Sequence, residues 1–214
     1  LLMIVKYVDH MGTDLSVVNS ARVSFGKKSE TLSDKDEKLI AYLSKHEHWT
    51  PFAHTCISLH VKAPLFVAQL GKHQVGLVWN EISRRYVDFE PEIYEPDQWR
   101  GRATDKKQGS DPSKSVCMNK TQYINSVKEC IDHYTKLIDT GVAPELARMV
   151  LPQSMYTEWY WTGSLYSFNR VCKLRLTDDA QYETKVIAKQ IAEWCGKLFP
   201  TSWKYLQGEK NGTA

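Results

Sequence analysis

The chain has 214 residues, of which 42% are hydrophobic and 25% are charged, as in an ordinary folded globular protein. This balance excludes a disordered chain, a collagen and a simple coiled coil. Lys and Arg number 28 against 25 Asp and Glu, and a net charge of +3 does not indicate a nucleic-acid or anionic-membrane partner. The unusual feature is the aromatic content: seven Trp, eleven Tyr and six Phe exceed what a core of this size ordinarily needs.

The cysteines and the apolar segments indicate the compartment. The five cysteines are Cys56, Cys117, Cys130, Cys172 and Cys195. Their odd number, wide spacing and lack of a Cys-x-x-Cys pair argue against a disulfide framework and a cysteine-based zinc site, which favours a reducing, cytoplasmic compartment (the host cytoplasm for a viral protein). No apolar stretch approaches the roughly 18 residues of a membrane-spanning helix, so no membrane partner is expected. The short apolar start lacks a basic flank and a cleavage site, and we interpret it as a first strand.

Hydrophobic periodicity predicts five elements before residue 75. They are a strand over 4–8, a helix capped by Asp14, a second helix capped by Ser33 or Asp34, a half-buried strand over 55–62 and a short helix whose first turn holds Pro64. Residues 90–119 are rich in Pro, Gly and Lys, and we predict a long loop there. A loop of this length is often functional, but a tolerated surface insertion explains the pattern equally well.

Regular periodicity returns after residue 119. The predicted elements are a helix over 123–138 that stops at Gly141, a short helix from Pro144 to Val150, an aromatic strand over 155–162, a helix over 164–174 and a last helix over 186–198 that ends before Pro200. Helices and strands follow one another without regular βαβ alternation. The order therefore favours an α+β fold.

Most familiar catalytic motifs are absent. The sequence has no Gly-x-Gly-x-x-Gly, no Walker loop, no Gly-x-Ser-x-Gly elbow and no His-Glu-x-x-His. His46-Glu47-His48 suggests a metal site only weakly, because residues two apart on a helix point away from each other. Histidines at a helix end or in a loop are the alternative, and no metal is predicted.

The densest polar segment runs from Lys72 to Tyr86. It combines cations, an imidazole, amides, a carboxylate and a hydroxyl, and Gly76 permits a sharp turn within it. A phosphate group requires such a cluster of donors and positive charge. The alternative is a surface salt bridge between Glu81 and Arg85, which stand at the i, i+4 spacing of a helix.

Several blocks in order along nearly the whole chain form a recognisable set. They are Met11-Gly12-x-Asp14-Leu15-Ser16, Ala21-Arg22-Val23-Ser24-Phe25, His48-x-Thr50-Pro51-Phe52-x-His54, His60-Val61-Lys62-Ala63-Pro64-x-Phe66-Val67-Ala68, Asn80-Glu81-x-Ser83-x-Arg85-Tyr86, Ala147-Arg148-x-Val150-Leu151-Pro152, Leu174-Arg175 and Ala180-Gln181-x-Glu183. With these blocks the chain resembles the flavin-dependent thymidylate synthases, the ThyX family.

The resemblance implies a fold, an assembly and a reaction. It implies one α+β domain over residues 1–214, with a mainly antiparallel central sheet flanked by helices, assembled as a homotetramer with sites at subunit interfaces. It implies methylation of dUMP at C5 to give dTMP, with methylenetetrahydrofolate as carbon donor, NADPH as reductant and FAD as hydride carrier. This chemistry needs no cysteine nucleophile, and no cysteine of this chain stands in a Pro-Cys-His context.

The resemblance also implies site residues. Those expected at the flavin are His48, Thr50, Lys72, His73, Gln74, Asn80 and Glu81. Those expected at the nucleotide are Gln69, Lys72, Ser83, Arg84, Arg85, Arg148 and Arg175. The catalytic residues among them are Glu81, Ser83 and Arg175. A cation such as Arg175 would stabilise the negative charge that develops on the uracil oxygens as hydride arrives at C6.

The chain departs from the family signature at one place. The family's Arg-His-Arg is Lys72-His73-Gln74 here, with a spacer that is one residue longer. Lys72 keeps the charge without the bidentate fork, and Gln74 removes a charge near the flavin. Our hypothesis is that Arg170, in a region that the family places against the flavin, supplies the charge missing at Gln74.

Two alternatives to the synthase remain open. One is related C5 chemistry, such as hydroxymethylation, on dUMP or dCMP. The other is a non-catalytic nucleotide- or nucleic-acid-binding relative, for which the lysines between residues 106 and 114 are the best feature. Retention of Glu81, Ser83 and Arg175 argues against the second alternative, because binding alone needs fewer of these groups.

Overall fold

The computed structural model describes residues 3–71, 74–87, 89–104 and 109–208. The strands are β1 (Ile4–Met11), β2 (Cys56–Pro64), β3 (Leu77–Glu81), β4 (Arg100–Arg102), β5 (Ser110–Ser115) and β6 (Tyr156–Gly163). The helices are α1 (Asp14–Arg22), α2 (Asp34–Lys45), α3 (Thr50–Ala53), α4 (Leu65–Gly71), α5 (Lys120–Asp139), α6 (Pro144–Ala147), α7 (Leu165–Arg175), α8 (Tyr182–Leu198) and α9 (Pro200–Leu206). Two 3-10 turns cover Val23–Phe25 and Arg148–Val150.

The central sheet has four strands in the order β1-β2-β6-β3, and each neighbouring pair is antiparallel. Strands β4 and β5 form a separate antiparallel hairpin. Helices flank the central sheet, with α8 against β1 and α4 against β2 and β6. The predicted α+β class with a mainly antiparallel sheet is confirmed.

The inner face of the sheet carries much of the aromatic excess. Leu59 and Val61 of β2 are fully buried, and their partners across the ladder are Trp161 and Trp159 of β6. Trp79 of β3 stacks on Trp159 with ring centroids 4.3 Å apart. The alternation of β2 therefore places its apolar residues against an indole layer, which contributes more than its buried area alone because stacked and edge-on rings attract.

Helix α2 begins with a polar anchor. Ser33 is its N-cap, as predicted, and the Ser33 hydroxyl donates to the Asp36 carboxylate at 2.6 Å. Asp36 also accepts from the Arg22 guanidinium at 2.5 and 2.9 Å and from the Ser29 hydroxyl at 3.0 Å. Burial opposes ionisation of Asp36, but the hydrogen bonds from Ser33, Arg22 and Ser29 outweigh it and lower its pKa to about 2.

Two predictions near the chain ends are corrected together. Thr13, not Asp14, is the N-cap of α1. The Asp14 carboxylate instead accepts from the backbone N–H groups of Thr201 and Ser202, at 3.0 and 2.8 Å, in the first turn of α9. The helix predicted over 186–198 does end before Pro200, at Leu198, but it is not the last helix, because Pro200 opens α9, whose free N–H groups Asp14 satisfies.

Two further boundaries differ from the prediction. Pro64 is the last residue of β2, and the helix that it was predicted to open begins at Leu65. The predicted loop over 90–119 is interrupted by the β4–β5 hairpin. Neither hairpin strand is β-prone in sequence: β4 is Arg-Gly-Arg and β5 contains Pro112. No helix in the described parts of the chain is long and apolar enough to cross a membrane.

Candidate active site

Helix α7 carries three cations of the candidate site. Its N-cap is Ser164, whose hydroxyl accepts from the Ser167 N–H at 3.2 Å. Its apolar side, including the fully buried Phe168, faces the core, which leaves Arg170 and Lys173 on the exposed side. The amphipathic pattern thus leaves two cations exposed on this side, whereas Arg175, the last residue of the helix, is half-buried and lines a small inner cavity with Val171.

A cavity of about 670 Å³ lies between the end of α7, the start of α8 and the β4–β5 hairpin. Its charged lining residues are the cations Arg100, Lys173 and Arg175 and the carboxylates Asp179 and Glu183, of which Glu183 is paired with Arg100. Its volume lies within the range of small-ligand sites. In the described chain neither Lys173 nor Arg175 has a hydrogen bond or an ion pair, so both can interact with a polar, negatively charged ligand.

The hairpin forms one wall of this cavity and is held by a buried ion pair. The Arg100 guanidinium pairs with the carboxylate of Glu183, which is 4% exposed, and lies over the Tyr182 ring at 4.4 Å. The Tyr94 hydroxyl donates to the same carboxylate at 3.1 Å. Burial, and then the Glu183 charge, raise the pKa of Tyr94 well above its usual range. A segment predicted as a loop or an insertion is therefore tied to α8.

Gly109 fixes the far end of the hairpin. Its backbone has φ +86°, and a Cβ there would lie 2.8 Å from the carbonyl oxygen of Asp179. Only glycine allows this left-handed conformation and this close backbone contact with the α7–α8 connection. The hairpin is thus held at both ends: Arg100 pairs with Glu183 of α8, and Gly109 packs against Asp179 in the α7–α8 connection.

Glu81 lies at the end of β3 with its carboxylate held from two sides. Trp79 Nε1 donates to Oε2 at 3.2 Å, and the Thr157 hydroxyl donates to Oε1 at 2.8 Å. Glu81 ends a strand and Arg85 lies in the turn that follows, so the two residues are not on one helix. The alternative of a helical i, i+4 salt bridge between them is therefore wrong.

The turn after β3 places neighbouring residues in opposite environments. Ser83 closes it, accepting from Tyr86 N–H at 2.9 Å and, through its hydroxyl, from Arg85 N–H at 3.3 Å. Arg85 is exposed and lies over the Tyr86 ring. Arg84 is only 7% exposed and donates to the Phe89 carbonyl. Burial lowers the Arg84 pKa.

The remaining residues predicted at the nucleotide lie elsewhere on the surface. The Gln69 amide donates to Gln153 at 3.2 Å, and Arg148, in a 3-10 turn, donates to the Glu145 carbonyl at 3.4 Å. The cavity that Arg175 lines does not include Ser83, Arg85 or Arg148.

The residues predicted at the flavin are also distributed. His48 lines a small hollow with Trp49, Tyr166 and Lys173, and Thr50 begins α3 beside it. The Trp49 and Tyr166 rings lie 5.8 Å apart, and Trp49 is half exposed. Aromatic rings next to the cations of α7 suit a ligand that has both a flat ring system and phosphates.

The other predicted flavin residues follow α4. Asn80 and Glu81 are adjacent in β3 and point to opposite faces of the sheet, with Asn80 on the exposed face. Gln74 lines a small inner cavity together with Arg175. Lys72 and His73 lie outside the described residues. The donor set that is described, comprising amide, carboxylate, imidazole and guanidinium groups, fits a flavin nucleotide chemically.

Sequence reasoning missed Arg100 and Lys173 and assigned no role to Glu183. Lys173 could have been found, because it falls between Arg170 and Arg175 on the polar side of an amphipathic helix. Arg100 could not, because nothing in a Gly- and Pro-rich segment predicts its ion pair with Glu183. Among the described residues no group of three or more His, Cys, Asp or Glu could hold a metal ion.

Similarity to known proteins decides the family. A sequence profile described as "Thymidylate synthase complementing protein" matches residues 6–201. A flavin-dependent thymidylate synthase of Thermus thermophilus is 40% identical over 205 residues, which cover 93% of this chain and 73% of the relative. This chain belongs to the flavin-dependent thymidylate synthase family.

Another relative and a solved structure agree with this family. The flavin-dependent thymidylate synthase of Thermosipho melanesiensis is 40% identical over 192 residues, covering 88% of this chain and 83% of the relative. The UMP/dUMP methylase PolB from Streptomyces cacaoi, bound with 5-Br dUMP, has a TM-score of 0.83 and 27% identity, covering 96% of this chain and 94% of that chain. The predicted family is confirmed.

Proposed function

We propose that this chain is a subunit of a flavin-dependent thymidylate synthase, an enzyme that methylates dUMP at C5 and releases dTMP. Methylenetetrahydrofolate donates the carbon and NADPH is the reductant. The observation that carries the proposal is the 40% identity to flavin-dependent thymidylate synthases over 93% of the chain. The cation-lined cavity at the end of α7 provides a place for an anionic small ligand.

FAD, when bound and reduced, supplies the hydride of this reaction. The described residues that would hold it are His48, Thr50, Gln74, Asn80, Glu81 and Arg170, and we expect Lys72 and His73 to join them. The Arg170 guanidinium, which has no hydrogen bond or ion pair in the described chain, would pair with a flavin phosphate or with the ring. His48 and the neighbouring indole of Trp49 would orient the ring system.

Several polar groups in and near the turn after β3 would hold the nucleotide. The Ser83 hydroxyl and the exposed guanidinium of Arg85 suit a phosphate, and Gln69, Arg148 and Lys72 would be further contacts. Arg84 is buried and serves this site by holding the turn through the Phe89 carbonyl.

The catalytic residues would be Arg175, Glu81 and Ser83. Arg175 would face the uracil oxygens and stabilise the charge that develops there. The carboxylate of Glu81, which Trp79 and Thr157 hold in place, is oriented before a substrate arrives. Such fixed groups need no rearrangement during the reaction, which is how preorganised sites lower barriers.

We further propose that the active unit is a homotetramer with its sites at subunit interfaces. A homotetramer would cover apolar surface that one chain leaves exposed. Exposed apolar side chains on the outer face of the sheet, such as Val78 and Tyr160, support this. We place the enzyme in the cytoplasm as one domain over residues 1–214, without nucleic-acid or membrane partners.

Spectroscopy and turnover test this function together. The purified protein is titrated with FAD, and tritium release from C5-labelled dUMP is followed with NADPH and methylenetetrahydrofolate. Flavin uptake, tritium release and dTMP as product are expected. Release with a hydroxymethylated product would indicate the alternative C5 chemistry, and neither uptake nor release would indicate a nucleotide-binding relative. A parallel assay with UMP tests for the substrate range named for PolB.

A further inference from the structure

Two buried polar atoms near Arg175 have no hydrogen-bond partner in the described parts of the chain. They are the indole Nε1 of Trp159 and the hydroxyl of Thr184. Trp159 is 2% exposed and Thr184 8% exposed, so bulk water does not satisfy either atom. Buried donors and hydroxyls are almost always paired in folded proteins, and two unpaired ones at one place need an explanation.

Both residues line the same cavity, of about 20 Å³, in the interior between α4, α7 and α8. Val67, Ile187 and Ala188 form part of its apolar wall. A cavity above roughly 10–15 Å³ holds one water molecule if the water finds two to four polar partners there. Trp159 offers a donor and Thr184 a hydroxyl, and the other lining residues with polar side-chain atoms are Gln74, Trp161 and Arg175.

This inner cavity adjoins the cavity of about 670 Å³ at the end of α7. Arg175 and Thr184 line both the 20 Å³ cavity and the 670 Å³ cavity, so they form the partition between them. Thr184 lies in the first turn of α8, directly after Glu183, which pairs with Arg100 of the hairpin. Thr184 therefore shares both cavity linings with Arg175 and is next in sequence to the residue that anchors the hairpin.

We propose that one ordered water molecule occupies the inner cavity, accepting from Trp159 Nε1 and hydrogen-bonded to the Thr184 hydroxyl, and that Thr184 is thereby a positioning residue for Arg175. The water fills the space behind the partition and satisfies both unpaired atoms. It holds the Thr184 side chain in one rotamer, and Arg175 packs beside it. The positioning role rests on the proposed function, whereas the water site does not.

The water site is tested by stability. Thr184→Val replaces the hydroxyl by a methyl group of similar size, and Thr184→Ser keeps the hydroxyl. Thr135→Val, on the exposed side of α5, is the control for a Thr-to-Val substitution in a helix. If water bridges the two atoms, Thr184→Val lowers Tm by about 2–4 °C more than Thr135→Val, because the water and Trp159 lose a partner. An unchanged or raised Tm would mean a dry cavity and overturn the proposal.

A crystal structure of the wild type gives an independent check. We expect one ordered water within hydrogen-bond distance of Trp159 Nε1 and the Thr184 hydroxyl. We expect the Thr184→Ser variant to keep it. A well-ordered cavity without density in the wild type would overturn the proposal regardless of any activity measurement.

The positioning role is tested by dUMP binding in a double-mutant cycle. Thr184→Val is expected to weaken dUMP binding about three- to tenfold in the wild-type background and hardly at all in the Arg175→Ala background, because its effect acts through Arg175. FAD retention should not change, and Thr184→Ser should restore most of the affinity. Equal losses in both backgrounds would overturn the role. If the wild type binds dUMP but does not turn it over, the proposed function fails. The double-mutant cycle still decides whether Thr184 acts through Arg175, because it measures binding alone.

Discussion

The anchor of α2 and the polar end of α7 use the same residue types in opposite ways. At the anchor, Asp36 accepts hydrogen bonds from Arg22, Ser29 and Ser33 and none of its oxygens lacks a partner. At the end of α7, Lys173 and Arg175 have no partner in the described chain and line a cavity. Polar groups that are fully paired stabilise a fold, whereas cations left unpaired around a cavity are available to a ligand.

The largest expected effect comes from a substitution at the end of α7, where the cations are unpaired. Arg175→Ala should lower dTMP formation by about 100-fold or more, because the proposed role of Arg175 is to stabilise the charge that develops on the uracil oxygens. It should leave the thermal unfolding midpoint nearly unchanged, since Arg175 makes no hydrogen bond or ion pair in the described chain. Tritium release and calorimetry measure the two quantities. Turnover at the wild-type rate would refute the role.

A substitution in the anchor of α2 should instead lower stability and leave the activity unchanged. Asp36→Asn removes a charge whose pKa is lowered to about 2, so it should cost about 2 kcal/mol of unfolding free energy and about 4–8 °C in Tm. The rate per folded, FAD-loaded molecule should stay at the wild-type value below the unfolding range. A variant as stable as the wild type would mean that the anchor contributes little.

Acid should weaken the same anchor. The Asp36 pKa is lower in the folded state than its ordinary value of 3.8, so its contribution is complete above about pH 4. The contribution falls as the pH drops from about 4 towards 2, where the folded carboxylate becomes protonated. Urea unfolding at several pH values should show this fall in the wild type and a flatter profile in Asp36→Asn. Parallel profiles would contradict the assignment.

The smallest effect concerns the flavin. Arg170 is exposed, so Arg170→Ala should weaken FAD retention only about two- to tenfold. If Arg170 supplies the charge missing at Gln74, Gln74→Arg in the same chain should restore retention. Lys189→Ala, which removes an exposed cation from α8, is a matched control for net charge. Unchanged FAD retention in Arg170→Ala would refute the hypothesis.

Local patterns predicted the elements that local physics determines. The period of two in β2 and the Ser33 cap of α2 each depend on a few neighbouring residues, and both are found. The β4–β5 hairpin and α9 depend on distant partners instead. Arg100 needs Glu183, and the start of α9 needs Asp14, which is 187 residues before Thr201.

The candidate site was predictable by resemblance but its arrangement was not. The quoted blocks contain Glu81, Ser83 and Arg175, but no spacing in them indicates that Arg175 lines a cavity with Arg100 of the β4–β5 hairpin. The burial of Arg84 was equally hidden, because its environment comes from Phe89 and from Tyr134 of α5. The contact of Trp159 and Thr184 with one cavity depends on how β6 packs against α8.

Stabilisation by the nucleotide tests the contrast between the two regions most directly. Wild type, Asp36→Asn and Arg175→Ala, each loaded with FAD, are heated with and without dUMP at about 100 times the wild-type Kd, where a bound ligand adds about 2.7 kcal/mol. We predict the same upward shift in Tm for the wild type and Asp36→Asn, and a much smaller shift for Arg175→Ala. An equal shift in Arg175→Ala would contradict the account, because the unpaired cation would then not serve the ligand.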